Sequence, residues 1–360
     1  MILAMILAIV TIVLAIIFWL FNPRQAKEYI KSIFRQKIKI DSIIELEKHG
    51  FKIENKELLH DKKLRYRNRW IFWPVVPTDS PNIIHLTFIR FLKDLSCAGL
   101  LTVVFVFDNY YGLIKNKSPS TRDLEVNQFI NSLNQMGLKH CKCKIIYESR
   151  FLSTYRLSHF ILSEFLNYLN NIDIRGLEIL GNKKGYLTSE AKALRYVKPC
   201  LNMLYLGAID KPCGFTLSGY DEQPQWEMFK NDMPKGKDIR LTNLYIPCMR
   251  SLTGDSTDVL DKDGNITHSD SITDVRRKLS NSDYLSSQDN VVCYFLQIHI
   301  FLVNETIRVP LKKPDALKEF KTLNELMSDF QAQEINKNLV DMSISTVIYE
   351  LMHPPLDAHS

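Results

Sequence analysis

The first constraint on this chain is its beginning: Ile2 to Phe21 reads ILAMILAIVTIVLAIIFWLF, twenty residues with no charge, glycine or proline. As an α-helix such a run spans about 30 Å, the thickness of a bilayer's hydrocarbon layer. A cleaved signal peptide carries a basic start, a shorter apolar stretch and a small-residue cleavage site, whereas this run is apolar at once and ends on Phe18, Trp19 and Phe21. An uncleaved membrane anchor over residues 1–22 is the expectation, with membrane lipid as its partner; a buried core helix is the alternative.

The flank sets the orientation. Arg24, Lys27, Lys31, Arg35, Lys37 and Lys39 follow the run, and no basic side chain precedes it. The positive-inside bias then places the body of the protein in the cytosol. Residues 24–70 hold fourteen Lys and Arg against seven Asp and Glu, a surplus that exceeds the whole chain's net charge of +6. The remainder is close to neutral. The segment 23–69 thus reads as a basic, amphipathic juxtamembrane stretch suited to anionic headgroups, with phosphate contacts to nucleic acid as the sharper use.

Seven scattered cysteines, an odd number, suit a reducing compartment. Cys141-Lys142-Cys143 lacks a second ligand pair, and Asp261-Lys262-Asp263-Gly264-Asn265 has Ile272 where a calcium loop needs a bidentate Glu, so no metal is expected.

From Trp70 the pattern changes. Ile71-Phe72-Trp73 precedes three prolines, Ile84 to Leu95 has helical periodicity, and Leu100 to Phe107 is a continuous apolar run stopped by Asp108. A strand, a helix and a second strand buried on both faces open an α/β fold with a doubly wound parallel sheet. Ligands of such sheets sit at the carboxyl ends of the strands, where Asp108 and Tyr110 stand. An amphipathic helix over 119–137, a strand at Lys144–Tyr147, helix over 153–173 and a strand at Cys213–Leu217 continue the pattern. Ser218-Gly219-Tyr220-Asp221-Glu222 follows, with a glycine that permits close backbone approach and two carboxylates at a strand end. Residues 254–274 read as loop, and 315–353 as a compact helical end.

These segments, in this order, resemble the class I tyrosyl- and tryptophanyl-tRNA synthetases, most closely the archaeal and eukaryotic tyrosyl type, over residues 70–357. Gly219-Tyr220-Asp221-Glu222 is similar to the family's Gly-x-Asp-Gln substrate motif. Val103 to Asn116 is similar to its LFADLHAYLDN strand and turn, with Asp108 at the acidic position and Tyr110 in place of His. Asn324 to Phe330 and Asn338 to Met352 resemble the helical anticodon-binding domain. The resemblance implies a Rossmann-like catalytic domain over 70–280 and a helical domain over 281–360. It implies substrate contacts from Phe72, Asp108, Gly219, Tyr220 and Asp221, and tRNA or aminoacyl-tRNA as partner. It also implies a homodimer as the family's common state, although an anchored copy need not share it.

The departures from the family cluster at its two ATP signatures. HIGH aligns with Asn82-Ile83-Ile84-His85, so its first His becomes Asn82 and its Gly becomes Ile84. The place of Lys-Met-Ser-x-Ser is taken by Ser256-Thr257-Asp258-Val259-Leu260, so Asp258 brings a negative charge where a cation must stabilise the α-phosphate. Phe72 replaces a family Tyr that contacts the substrate phenol. Three uses stay open. The favoured one is a cyclodipeptide-synthase-like transferase that takes aminoacyl groups from charged tRNA without ATP or any other cofactor, with His85, Tyr110 and Glu222 as candidate catalytic proton carriers. The others are a divergent ligase using ATP with Mg, and a non-catalytic module that binds tRNA or a protein.

Two sequons, Asn265-Ile266-Thr267 and Asn304-Glu305-Thr306, report on orientation. Both are expected to stay unmodified when the full chain is inserted into microsomes. A glycan on either, read by a glycosidase-sensitive mass shift, would put the body on the lumenal side.

Overall fold

A computed structural model of the chain describes residues 47, 52–54, 70–97, 101–152, 213–219, 223, 240–247, 249–252, 265–286, 288–303, 305–311 and 316–354. The apolar run and nearly all of the basic segment lie outside the described residues. Among the described residues no helix is long and apolar enough to cross a membrane.

The frame is a six-stranded sheet. Its strands are β1 (Lys52–Ile53), β2 (Trp70–Val75), β3 (Leu101–Val106), β4 (Cys143–Tyr147), β5 (Cys213–Gly219) and β6 (Arg240–Ile246), in spatial order β1-β6-β5-β2-β3-β4. The five strands from β2 to β6 pair in parallel, and β1 closes one edge in antiparallel pairing with β6. Reading the parallel strands in chain order gives 3-2-1-4-5, the Rossmann order, with its switch point between β2 and β5.

Alternation sorts the side chains. Ile71, Trp73 and Val75 join Val104, Val106, Leu217, Leu244 and Ile246 in the main apolar core. On the other face lie Phe72, Val103, Phe105, Thr216, Ser218, Asn243 and Tyr245, all buried as well. Pro74 is tolerated in this central strand because the β2–β5 pairing ends at Phe72 opposite Thr216, so the missing N–H breaks no bond to β5.

Strand β6 is not legible in the periodicity, because Thr242 and Asn243 interrupt its apolar residues. The reason is a polar row inside the sheet. Thr216 Oγ1 donates to Asn243 Oδ1, and Asn243 Nδ2 donates to Glu54 Oε2 at 2.9 Å. Such a row is tolerated in a core because its members satisfy one another.

Helix α1 (Ile83–Cys97) packs on β2 and β3, while α2 (Asp108–Ile114), α3 (Pro119–Gln135) and α4 (Glu148–Leu152) lie beyond β3 and β4. Ser118 accepts from Thr121 N at the start of α3, with Pro119 in the first turn. Helix α5 (Ile272–Ser280) opens on a capping box between Ser271 and Asp274. Helix α6 (Val291–His299) starts at Asn290, whose side chain accepts from Val292 N and Cys293 N.

The C-terminal end is not purely helical, contrary to the expectation for 315–353 and 281–360. Strands β7 (Ile307–Pro310) and β8 (Leu317–Phe320) form an antiparallel pair ahead of α7 (Leu323–Gln331) and α8 (Lys337–Met352). Leu317-Lys318-Glu319-Phe320 is too short to show a helical period, and its inward residue is Phe320, fully buried. The apolar core also runs without a break past residue 280. Helix α8 packs on α5 through the buried Asp341 carboxylate, which accepts from Tyr284 Oη (2.9 Å), Ser280 Oγ (3.2 Å) and Lys337 Nζ (3.0 Å).

Helix α6 is joined to α1 by His299, whose Nε2 lies 3.1 Å from Thr87 Oγ1 and whose ring stacks on Phe295 at 4.6 Å. Burial, aided by the Arg90 charge, pushes the His299 imidazole down to about 3. The unfolded chain therefore takes up a proton below about 6.5 that the folded chain refuses until about 3, so stability falls as pH drops through that window. Urea unfolding of wild type and His299→Gln between pH 7 and pH 4 should show the wild type losing about 1.4 kcal/mol more per pH unit below 6. Parallel curves for the two proteins would remove His299 from the acid response.

Candidate functional site

The residues that align with the first ATP signature form a helix cap. Asn82 Oδ1 accepts from Ile84 N (3.1 Å) and His85 N (3.4 Å), and Asn82 N lies 3.1 Å from His85 Nδ1. This is the geometry of a capping box in which an imidazole nitrogen stands where a carboxylate usually does. With the proton on Nε2, His85 Nδ1 accepts from Asn82 N; with the proton on Nδ1, the ring donates to Asn82 Oδ1, 2.8 Å away. The His85 ring is 5% exposed and packs edge-on against Phe129 at 5.4 Å. Ile84 is buried too.

A second strip of backbone closes the same place. Ile83 N donates to Ile266 O at 3.1 Å, His268 N donates to Pro81 O at 2.7 Å, and Asn82 bridges Thr267 in antiparallel fashion. The first three amide donors of α1 (Ile83, Ile84 and His85) are therefore all engaged. A helix N-terminus attracts phosphate through free amide donors and its dipole; here protein oxygens hold those donors.

The strip itself is held from behind. His353 Nε2 lies 2.9 Å from His268 O, and the rings of His268, His353 and Tyr349 stack at 4.5 and 4.2 Å. Burial and the neighbouring His353 hold the His268 imidazole below its usual range. Lys278, on α5 beyond the strip, is 10% exposed and bound by Asp270 (2.8 Å) and Asn265 O (2.8 Å). Asn265 is itself 1% exposed. Ser256 and Asp258 lie outside the described residues.

At the carboxyl ends of β3 and β4, Asp108 and Glu148 exchange helix starts. Asp108 Oδ1 accepts from Ser149 N at 2.9 Å and its Oδ2 from Ser149 Oγ, while Glu148 Oε2 accepts from Tyr110 N at 3.0 Å. Each carboxylate thus caps the helix at the end of the other's strand. Both are buried, at 3% and 4% exposure. The Tyr110 ring is buried against Phe107 with centroids 6.4 Å apart. Glu148 is a site residue that periodicity does not single out. The available signal is its place: like Asp108, it is an acid at the end of an apolar strand.

The switch point gathers the remaining candidates. Phe72 is fully buried opposite Thr216, in an aromatic row with Phe105 (5.5 Å) and on to Phe107 (5.1 Å from Phe105). Strand β5 runs through Ser218 to Gly219, opposite Tyr245 and Ile246, so these two residues belong to the strand rather than to the loop after it. Ser218 is 3% exposed and its hydroxyl has no hydrogen-bond partner among the described residues. Leaving a buried hydroxyl unpaired costs about 1–3 kcal/mol. Tyr220, Asp221 and Glu222 lie outside the described residues. The structure thus sets Phe72 and Gly219 on adjoining strands, Asp108 and Tyr110 at the next strand end, and Asn82, Ile84 and His85 at the α1 cap. Among the described residues no cluster of His, Cys, Asp and Glu could hold a metal.

No protein-family model and no curated protein matches this chain. Solved structures do. Tyrosyl-tRNA synthetase from Archaeoglobus fulgidus, complexed with L-tyrosine, superposes with a TM-score of 0.66 at 14% identity, over 83% of this chain and 92% of that one. The Leishmania major tyrosyl-tRNA synthetase in complex with tyrosinol gives 0.69 at 13% identity, over 89% of this chain and 50% of that longer one. A tryptophanyl-tRNA synthetase from Encephalitozoon cuniculi bound to tryptophan gives 0.58 at 14%, over 83% and 81%. With its Rossmann-ordered sheet and these matches, the chain has the fold of the class I tyrosyl- and tryptophanyl-tRNA synthetases, in a divergent form.

Proposed function

We propose that this protein handles tRNA or aminoacyl-tRNA on a synthetase fold without activating an amino acid with ATP. The observation that carries this reading is the closed amino end of α1, where Ile266 O and Asn82 Oδ1 hold the amide donors of Ile83, Ile84 and His85. A triphosphate with Mg does not fit residues in that arrangement, so no step runs through it. An aminoacyl ester is already activated and needs no nucleotide.

The finer reading is transfer between aminoacyl groups. The amine of one attacks the ester carbonyl of another, a peptide bond forms, and the tRNA 3′ oxygen leaves with the proton that the amine gives up. The capped His85 and the helix-capping Asp108 are committed to structure, so the proton carriers of this reading are Tyr110 and Glu222. Asp221, close after the end of β5, would meet the substrate ammonium. The apolar run and the basic flank hold the body at the cytosolic face of a membrane.

Purified full-length chain is expected to show no ATP–pyrophosphate exchange with any of the twenty amino acids, and Asn82→His is expected not to create it, because the strip 266–268 still covers the helix end. Robust exchange in the wild type would overturn the proposal. Charged tRNA retained on a filter by the same sample, followed by mass spectrometry of released products, separates transfer from binding alone.

The role given to Asp108 has its own check. Asp108→Asn should lower unfolding stability by about 2 kcal/mol, as loss of a charged acceptor with two donors does. A stability change near zero in urea titration would mean that the carboxylate serves a ligand rather than the start of α4.

A further inference from the structure

Resting on the reading that an aminoacyl group occupies the switch point, we infer that Ser218 is a specificity-determining residue whose hydroxyl receives an uncharged polar group of that ligand. Three observations converge on it. Ser218 is the penultimate residue of β5, at the carboxyl end of the strand that adjoins β2, where open parallel sheets bind their ligands. Its side chain shares a sheet face with Thr216, Phe72 and Phe105 rather than with Leu217, which belongs to the apolar core. Its hydroxyl is buried and unpartnered among the described residues, although Thr216, two residues earlier on that face, is fully engaged with Asn243.

The contrast between the two hydroxyls is informative. At Thr216 the sheet supplies a hydrogen bond, from its hydroxyl to Asn243 Oδ1. At Ser218 the described residues supply none, and an alanine would fill nearly the same volume without an unmet donor and acceptor. A ligand atom meets that need. Because a hydroxyl can both donate and accept, it suits a hydroxyl, indole N–H, thioether or carbonyl. Because Phe72 and Phe105 line the same face one and two strands over, a bare charge there would be poorly compensated. The ligand that fits is an amino acid or aminoacyl group with an apolar or aromatic body and a neutral polar atom.

The test uses full-length protein in detergent micelles, with free L-tyrosine, L-tryptophan, L-methionine, L-phenylalanine and L-leucine as probes in titration calorimetry and thermal unfolding. At least one of the first three should bind, and Ser218→Ala should weaken it about 5- to 30-fold, the loss of one hydrogen bond. The ligand-free Tm of Ser218→Ala should equal or exceed that of wild type, and L-phenylalanine and L-leucine should bind wild type and variant alike or not at all. Unchanged affinity for the polar probes, or a lowered ligand-free Tm in Ser218→Ala with Ser218→Gly behaving the same way, overturns the inference. So does failure of all five probes to bind wild type. Filter retention of charged tRNA by the same wild-type sample tells that failure apart from failure of the functional reading itself.

Discussion

The amide donors at the start of α1 are the constraint on which this molecule's chemistry depends. A helix that begins at the carboxyl end of the first parallel strand points its positive end at the sheet's ligand crevice. In this chain that end is spent on the protein itself. Asn82 turns back over Ile84 N and His85 N, His85 closes on Asn82, and the backbone from Ile266 to His268 pairs with Pro81 to Ile83. The strip in turn rests on the stacked rings of His268, His353 and Tyr349 at the end of α8. The end of α8 thereby supports the strip that covers the start of α1, and the bonds that close it also tie residues 81–83 to His353.

The same economy governs the acids. Asp108 and Glu148 stand where a parallel sheet presents its ligands, yet each serves as the cap of the other's helix. Their charges are stabilised by helix dipoles and amide donors, so burial is tolerated. Around them the face of the sheet grades from aromatic at Phe72 and Phe105 to polar at Thr216 and Asn243. Ser218, whose hydroxyl has no hydrogen-bond partner among the described residues, sits at the edge of that face.

Much of the fold can be read from periodicity. Leu100 to Phe107 reads as a buried strand and forms one over Leu101–Val106, and the amphipathic stretch from 119 forms α3. Strands β6 and β8 cannot be read in this way. Asn243 is fully buried because Thr216 and Glu54 meet it from two other segments, and Leu317–Phe320 becomes a strand because β7 pairs with it. Those partners are distant in sequence, so no local pattern encodes them.

The site divides along the same line. Through its resemblance, the sequence alone set Asn82, Ile84 and Asp258 against a histidine, a glycine and a lysine-bearing motif of the synthetase family. It also determined the apolar run and its basic flank. Only the tertiary structure decided what Asn82 and His85 do instead, that Asp108 answers to Ser149, and that the Ser218 hydroxyl is left without a partner among the described residues. Hydrogen-bond satisfaction is the physical reason. Whether a polar group is spent or available depends on which atoms from remote segments arrive within about 3 Å, and that is a property of the packed chain.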